Sequence, residues 1–141
     1  MIVVMAKVIL GAFVAVVVAF LVGWMWGASG KTNLDRSLDT AELQVDLLEA
    51  RGAVLGARLD LYSVNFGDAS RHLEDARAFV RRATGRLQSL GRADSVKRLE
   101  PASAAIDDAQ RLAGKLDQTA NSRAAEAAKA IEAVLDMSPK R

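Results

Sequence analysis

The sequence predicts an all-α membrane protein in which a single N-terminal transmembrane helix precedes a long antiparallel helical hairpin of the coiled-coil type, or a three-helix bundle. Three observations predict this fold class: an uncharged apolar stretch near the N-terminus, an apolar repeat with alternating steps of four and three residues, and a helix-favouring composition. The 141 residues include two prolines and no cysteine, and hydrophobic residues make up 51%. Ala and Leu, which are abundant, are strong helix formers, and a chain without cysteine has neither disulfides nor thiolate metal sites.

The N-terminal stretch has the length of a membrane span. Residues 8–30 carry no charge, and at 1.5 Å per residue this run crosses a hydrocarbon core of roughly 30 Å. Trp24 and Trp26 lie towards its end, where aromatic rings favour the membrane interface. The alternative is a signal peptide cleaved near the small residues 27–29. We predict a retained single-pass anchor, and the predicted organisation is an anchor over 1–30, a linker over 31–39, a hairpin or bundle over 40–136 and a tail over 137–141.

The orientation of this anchor rests on few charges. Lys7 on one side is balanced by Lys31 and Arg36 on the other. A short basic tail before an uncleaved apolar helix is typical of a bacterial signal anchor. We therefore expect the arm to lie outside the cytoplasm, in the periplasm.

Small residues recur every four positions within the predicted span. Such a stripe lets helix backbones approach closely in lipid, so we expect it to pack on other transmembrane helices, either in a copy of the chain or in another subunit. The predicted packing residues are Gly11, Ala15, Ala19, Gly23 and Gly27.

The arm contains an apolar seam of 17 positions with heptad spacing. Its unbroken register predicts one continuous helix, and the alternative is a turn over residues 65–68 whose Asp68 caps a second helix. The seam positions are Leu34, Leu38, Ala41, Val45, Leu48, Gly52, Leu55, Leu59, Tyr62, Phe66, Ala69, Leu73, Ala76, Val80, Ala83, Leu87 and Leu90.

A second apolar row follows the opposite side of the same helix. A slender hairpin would leave this row in water, so the sequence predicts that a third helix or another protein covers it. We predict a partner interface at Leu43, Leu47, Ala50, Val54, Ala57, Leu61 and Val64.

Gly91 is expected to end the first helix, and the chain to reverse within a turn region over residues 91–99 that holds at most one short helical piece. The main second helix is expected to begin near Glu100 or Pro101 and to end near Leu135. Its inward row shifts by one residue after Ala120, which we interpret as a stutter. The predicted inward residues are Ala102, Ala105, Ile106, Ala109, Ala113, Leu116, Ala120, Ala124, Ala127, Ile131 and Val134.

No pattern in the chain indicates catalysis, a cofactor or a small-molecule substrate. His72 is the only histidine, and Asp68 and Asp75 share its helical face, but a solvated face explains these residues better than a metal site. There is no phosphate-binding loop and no nucleophile elbow. The arginines alternate with acids and lack aromatic platforms, so nucleic-acid binding is not expected.

Charge is distributed unevenly along the arm. Residues 31–70 carry four basic and seven acidic side chains, whereas residues 71–98 carry eight and three. On a long hairpin this places a basic tip away from the membrane, where it would face an acidic partner surface or an anionic polymer. The alternative is that the excess of arginine reflects composition alone. The tip residues are Arg71, Arg77, Arg81, Arg82, Arg86, Arg92, Lys97 and Arg98.

Together these features predict a non-catalytic accessory subunit that tethers or stabilises a larger membrane complex, with lipid and other transmembrane helices as its partners. Two alternatives remain: a membrane-anchored helical sensor or signalling module, and a cell-envelope spacer that binds an acidic partner through the basic tip.

Overall fold

The computed structural model describes residues 34–137, and within that range every regular element is an α-helix, which confirms the all-α prediction. The first helix covers residues 34–62, so residues 34–39, predicted as a linker, are helical. The chain divides into two compact units after Leu38. We designate residues 39–62 of the first helix α1, because they belong to the second unit. The other helices are α2 (Phe66–Ser89), α3 (Ala93–Ala113) and α4 (Ala120–Leu135).

The four helices form an antiparallel bundle in which α4 returns to α1. Helix α2 packs on α3, and α3 packs on α4. An ion pair between Asp46 and Arg82 joins α1 to α2, and one between Arg51 and Glu132 joins α1 to α4. Short turns make all three connections, as in other up-down-up-down bundles. The prediction of a hairpin or a three-helix bundle is therefore wrong in the number of helices.

The predicted continuous helix through the first seam is also wrong, because the chain reverses at residues 63–65. Val64 adopts a left-handed φ of 58°, and the N–H of Asn65 donates to the carbonyl of Asp60 over 2.8 Å. Asn65 caps α2, and its side-chain oxygen accepts the N–H of Asp68 over 3.3 Å. The alternative of a break in the helix is thus confirmed, but the reversal covers residues 63–65 instead of 65–68. Its cap is Asn65, and Asp68 lies in the first turn of α2.

Of the turn region predicted over residues 91–99, only the start is confirmed: the chain reverses at Gly91, which has a φ of 69° that favours glycine, and residues 93–99 are helical. Helix α3 begins at Ala93 rather than near Pro101, so the proline lies inside the helix. Pro101 is on the exposed side of α3. Water can therefore satisfy the carbonyl that loses its helical donor there.

The predicted second helix is interrupted at residues 114–119, where Leu116 has a φ of 57°. The backbone N–H and the hydroxyl of Thr119 donate to Oδ1 of Asp117 over 2.9 and 2.8 Å. These hydrogen bonds, the backbone one foremost, hold the pKa of Asp117 below its ordinary value. The one-residue shift in the apolar pattern is this turn, and the stutter interpretation is wrong.

The core of the bundle is rich in alanine, which supplies 13 of its 24 buried hydrophobic residues. Small side chains at helix contacts favour the short end of the usual range of interaxial distances, which is about 8–10 Å. The predicted inward row of α3 and α4 is confirmed except for Leu116, which is 69% exposed.

Candidate docking surface

The residues predicted as a partner interface lie inside the bundle of the chain itself. Leu47 and Val54 are fully buried, and Leu61 is 3% exposed. The interface prediction is therefore wrong for six of its seven residues, because the reversal at residues 63–65 folds α2 back along α1 and the two later turns bring α4 beside it. Only Val64, 57% exposed, remains on the surface. The buried six are Leu43, Leu47, Ala50, Val54, Ala57 and Leu61.

The row predicted as the core of the first helix is instead the exposed side of α1. We call it the outer face, and its large residues are exposed by 38–70%. Together these side chains expose an apolar area on the order of several hundred Å², which is comparable to the largest apolar patches of monomeric proteins. The outer face consists of Ala41, Val45, Leu48, Gly52, Leu55, Leu59 and Tyr62.

Gly52 lies in the middle of the outer face, four residues before Gly56. A Cβ at Gly52 would meet no atom within 4 Å, whereas a Cβ at Gly56 would lie 3.2 Å from the ring of His72 on α2. The bundle's own packing thus accounts for Gly56. It does not account for Gly52. Glycine inside a helix costs about 1 kcal/mol relative to alanine, so Gly52 lowers the stability of α1 without a packing reason inside the bundle.

On one flank of the outer face, α1 is tied to α2 by a cluster of charges. Asp46 is 6% exposed, and its carboxylate accepts from Nε of Arg82 over 3.0 Å and from Nε of Arg86 over 2.8 Å. Arg86 also pairs with Glu42 and lies 3.8 Å from Asp39. The hydrogen bond to Asp46 raises the pKa of Arg86. These contacts fix the orientation of α1, and with it the direction of the outer face.

On the other flank, α1 is tied to α4. Arg51 pairs with Glu132, and Nε of Arg58 donates to the side-chain oxygen of Asn121 over 3.1 Å. The outer face is therefore bordered by acidic residues towards α2 and by arginines towards α4.

The predicted basic tip does not lie at the far end of the arm. Because α2 runs back along α1, the C-terminal half of α2 lies beside the start of α1, where Arg86 meets Asp39. Arg82 and Arg86 of α2 pair with acids of α1, so part of the uneven charge of the sequence is balanced within the bundle. Four tip residues form ion pairs, and four form none within residues 34–137. The paired residues are Arg71, Arg77, Arg82 and Arg86, and the others are Arg81, Arg92, Lys97 and Arg98.

His72 contacts a carboxylate that sequence reasoning did not single out. Its Nδ1 lies 2.7 Å from Oδ2 of Asp60 on α1, and Asp68 instead pairs with Arg71. Among the residues that the structure describes, no group of three or more His, Asp or Glu side chains is placed to hold a metal ion. His72 therefore connects α1 to α2.

Two apolar residues are exposed in left-handed turns at the end of the bundle opposite the α2–α3 turn. Val64 and Leu116 have φ values of 58° and 57° and are 57% and 69% exposed. L-residues with a side chain pay roughly 1–2 kcal/mol in this conformation. Glycine or asparagine is the usual occupant, so neither residue is placed there by the needs of its turn.

The predicted anchor and its packing stripe, Gly11 to Gly27, lie outside the described residues, as does most of the predicted tail. Within residues 34–137, no helix has both the length and the apolar character to cross a membrane.

The fold defines a class, the antiparallel four-helix bundle, and it bears one exposed apolar helix face. No protein-family model matches the sequence, and neither a curated protein nor a solved structure shows significant similarity to it. The surface of the bundle is therefore the feature that bears on function.

Proposed function

We propose that this chain is a non-catalytic, membrane-anchored scaffold that binds another protein through the outer face of α1. The observation that carries the proposal is the exposed row itself: Val45, Leu48, Leu55, Leu59 and Tyr62 all present large apolar side chains on one side of one helix. Such a contiguous patch is uncommon on a monomeric soluble domain and is typical of a protein interface.

The shape of the outer face supports a helical partner. Its residues repeat with the 3.5-residue spacing that lets two helices interlock over several turns. The bundle's own helices satisfy the opposite side of α1, so the seam is available to a helix from outside. The surrounding ion pairs hold α1 rigid, which lowers the entropy lost on binding.

The membrane component of the proposal rests on the uncharged apolar run over residues 8–30. It is tested by alkaline extraction of membranes from the producing cell. We expect the full chain to stay in the membrane pellet, and a chain lacking residues 1–30 to appear in the supernatant. Full-length chain in the supernatant would contradict the anchor without bearing on the docking surface.

The docking component is tested by introducing charge into the outer face. The full chain carrying both Val45→Glu and Leu59→Glu is purified from native membranes in mild detergent, beside the wild type and an Ala104→Glu control. Ala104 is exposed on a different helix, α3. We expect wild type and control to be recovered in a stoichiometric complex, either with itself or with another chain, and the double variant to lose it. Equal recovery for all three chains would refute docking through α1.

A further inference from the structure

The groove between α2 and α3 contains an open cleft of about 680 Å³, which lies within the size range of ligand-binding sites. We infer that this cleft binds a ligand through a carboxylate group, held by Arg81 and Ser103 beside the ion pair of Arg77 with Asp107. The inference is separate from the docking function proposed above, because residues of α2 and α3 alone line the cleft and the outer face belongs to α1. Every lining side chain is polar apart from one glycine, which favours a charged ligand.

An ion pair sets the register of the two helices at the cleft. Nε of Arg77 on α2 donates to Oδ1 of Asp107 on α3 over 2.7 Å. The helices run antiparallel, so one turn further along α2 and one turn back along α3 lead to Arg81 and Ser103. Both of these residues also line the cleft. The first arginine is thus matched by a carboxylate, whereas the second is matched only by a hydroxyl.

Arg81 and Ser103 have unused hydrogen-bonding capacity. Within residues 34–137 the guanidinium of Arg81 forms no ion pair, and the hydroxyl of the half-buried Ser103 forms no hydrogen bond. A planar guanidinium donates two parallel hydrogen bonds to a carboxylate, and a hydroxyl adds a third donor. The side-chain amide of Gln88 lines the same cleft and supplies another. The cleft therefore presents several donors for which the described chain provides no acceptor.

The charges of the cleft select a ligand with a single negative charge. Asp107 balances Arg77, so the charge of Arg81 is the net charge of the lining. A carboxylate carries one negative charge at neutral pH, whereas a phosphate monoester carries about 1.5 to 2. A phosphate would also share the cleft with the carboxylate of Asp107, which repels the higher charge more strongly. A carboxylate is therefore the better match.

Gly85 is a second, independent observation. It lies inside α2, one turn after Arg81, and a Cβ there would meet no atom within 4 Å. Alanine is the better helix former at such a position, so neither helix stability nor the packing of the bundle accounts for the glycine. Its missing side chain keeps the cleft open beside Arg81. A ligand that approaches the guanidinium requires this space.

The test follows the side-chain NMR signals of the full chain, labelled with ¹⁵N and held in mild detergent, during titration at constant ionic strength. The probes are acetate, the amide of N-acetylglutamate, which carries one side-chain carboxylate, and inorganic phosphate. We expect both carboxylates to shift the Nε–H signal of Arg81 saturably, and phosphate to bind at least tenfold more weakly. No saturable shift with either carboxylate, or tighter binding of phosphate, would overturn the inference.

The two carboxylate probes also separate the sources of the ligand. Tighter binding of the N-acetylglutamate amide would identify an acidic side chain of a protein partner as the ligand. Tighter binding of acetate would identify a free small carboxylic acid. Either order supports recognition of a carboxylate.

Three variants connect the binding to the cleft, with the side-chain amide signal of Gln88 as their common readout. Arg81→Gln removes the unmatched cation, and Gly85→Leu fills the open space. Arg98→Gln is the matched control, because Arg98 is an exposed arginine of α3 that does not line the cleft. We expect the first two variants to weaken carboxylate binding at least tenfold, and the control to bind like the wild type.

Melting temperatures show whether a loss of binding reflects unfolding. Arg81 forms no ion pair within residues 34–137, and the space at Gly85 is open, so we expect both variants to melt at or above the temperature of the wild type. Carboxylate binding that survives unchanged in Arg81→Gln, or that falls equally in Arg98→Gln, would show that the cleft is not the site.

Discussion

Nε of Arg51 on α1 donates to Oε1 of Glu132 on α4 over 2.8 Å, and this contact links the first and last helices of the bundle. The two side chains are 40% and 46% exposed. Because α4 returns to α1, the apolar row from Leu43 to Leu61 is enclosed within the protomer, and only the opposite row is left for a partner.

The pairing of Arg51 with Glu132 predicts a measurable coupling between α1 and α4. In a double-mutant cycle with Arg51→Ala and Glu132→Ala, we expect a coupling of about 0.5 kcal/mol in the free energy of unfolding, since half-exposed pairs are screened by water. The coupling should shrink in 1 M salt. A cycle of Arg51→Ala with Glu126→Ala, which pairs elsewhere, is the control and should give none. Equal couplings in both cycles would contradict the contact between α1 and α4.

Asp46 predicts a larger effect, because it is the most buried charge of the described chain and accepts from two arginines. Asp46→Ala leaves Arg82 and Arg86 without their shared acceptor and should lower the free energy of unfolding by about 2 kcal/mol. Asp46→Asn, which keeps one acceptor oxygen, should cost less. Glu49→Ala, on an exposed position of the same helix, should change stability by less than about 0.5 kcal/mol. Urea denaturation measures all three variants. If Asp46→Ala lowered the free energy of unfolding no more than Glu49→Ala, Asp46 would not hold α1 on α2 through its two arginines.

The sequence predicted the helical class, the reversal at Gly91 and nearly every buried residue of α2, α3 and α4. Periodicity identified these rows because each is the only apolar side of its helix. On α1 there are two apolar rows, Leu43 to Leu61 and Val45 to Tyr62, and spacing alone does not say which one faces the protein's own core. That choice depends on α4, which closes the bundle from residues far away in the sequence.

The turn at Val64 was also hard to predict, because the heptad register continues across it. Left-handed turns are usually marked by glycine or asparagine at the strained position, and here Val64 and Leu116 occupy such positions instead. The break between α3 and α4 shows in the sequence only as a one-residue shift of the apolar row. A stutter in a continuous helix produces the same shift, so the pattern does not distinguish the two. Ion pairs between different helices, such as Asp46 with Arg82 or Asp60 with His72, could not be predicted from the spacing of residues along the sequence.

The two helical glycines of α1 predict opposite outcomes for the same substitution. Gly52→Ala adds a methyl group in open space and should raise the free energy of unfolding by about 0.5–1 kcal/mol. Gly56→Ala places its Cβ 3.2 Å from the His72 ring, so the ring must shift and the hydrogen bond to Asp60 is disturbed. We expect this second variant to gain less than the first or to lose stability. Thermal unfolding at matched protein concentration distinguishes them, and identical changes would contradict the packing of α1 on α2.

The strained turns predict stabilisation by glycine. Val64→Gly and Leu116→Gly should each raise the free energy of unfolding by about 0.5–1 kcal/mol, since relief of the left-handed strain exceeds the added entropy of the unfolded chain. Gly91→Ala is the opposite change, because it places a side chain at a φ of 69°, and it should lower the free energy of unfolding by about 1 kcal/mol. Chemical denaturation of the three variants provides the comparison. Destabilisation by both glycines would show that the turns are not strained as described.

The docking claim is tested most directly by the reactivity of a single cysteine on the outer face in native membranes. A Leu48→Cys variant of the full chain is treated with a small maleimide beside an Ala104→Cys variant, before and after denaturation. If a partner helix covers α1, the cysteine at position 48 should react at least tenfold more slowly than the one at position 104, and denaturation should remove the difference. Equal rates before denaturation would show an uncovered outer face and contradict the account.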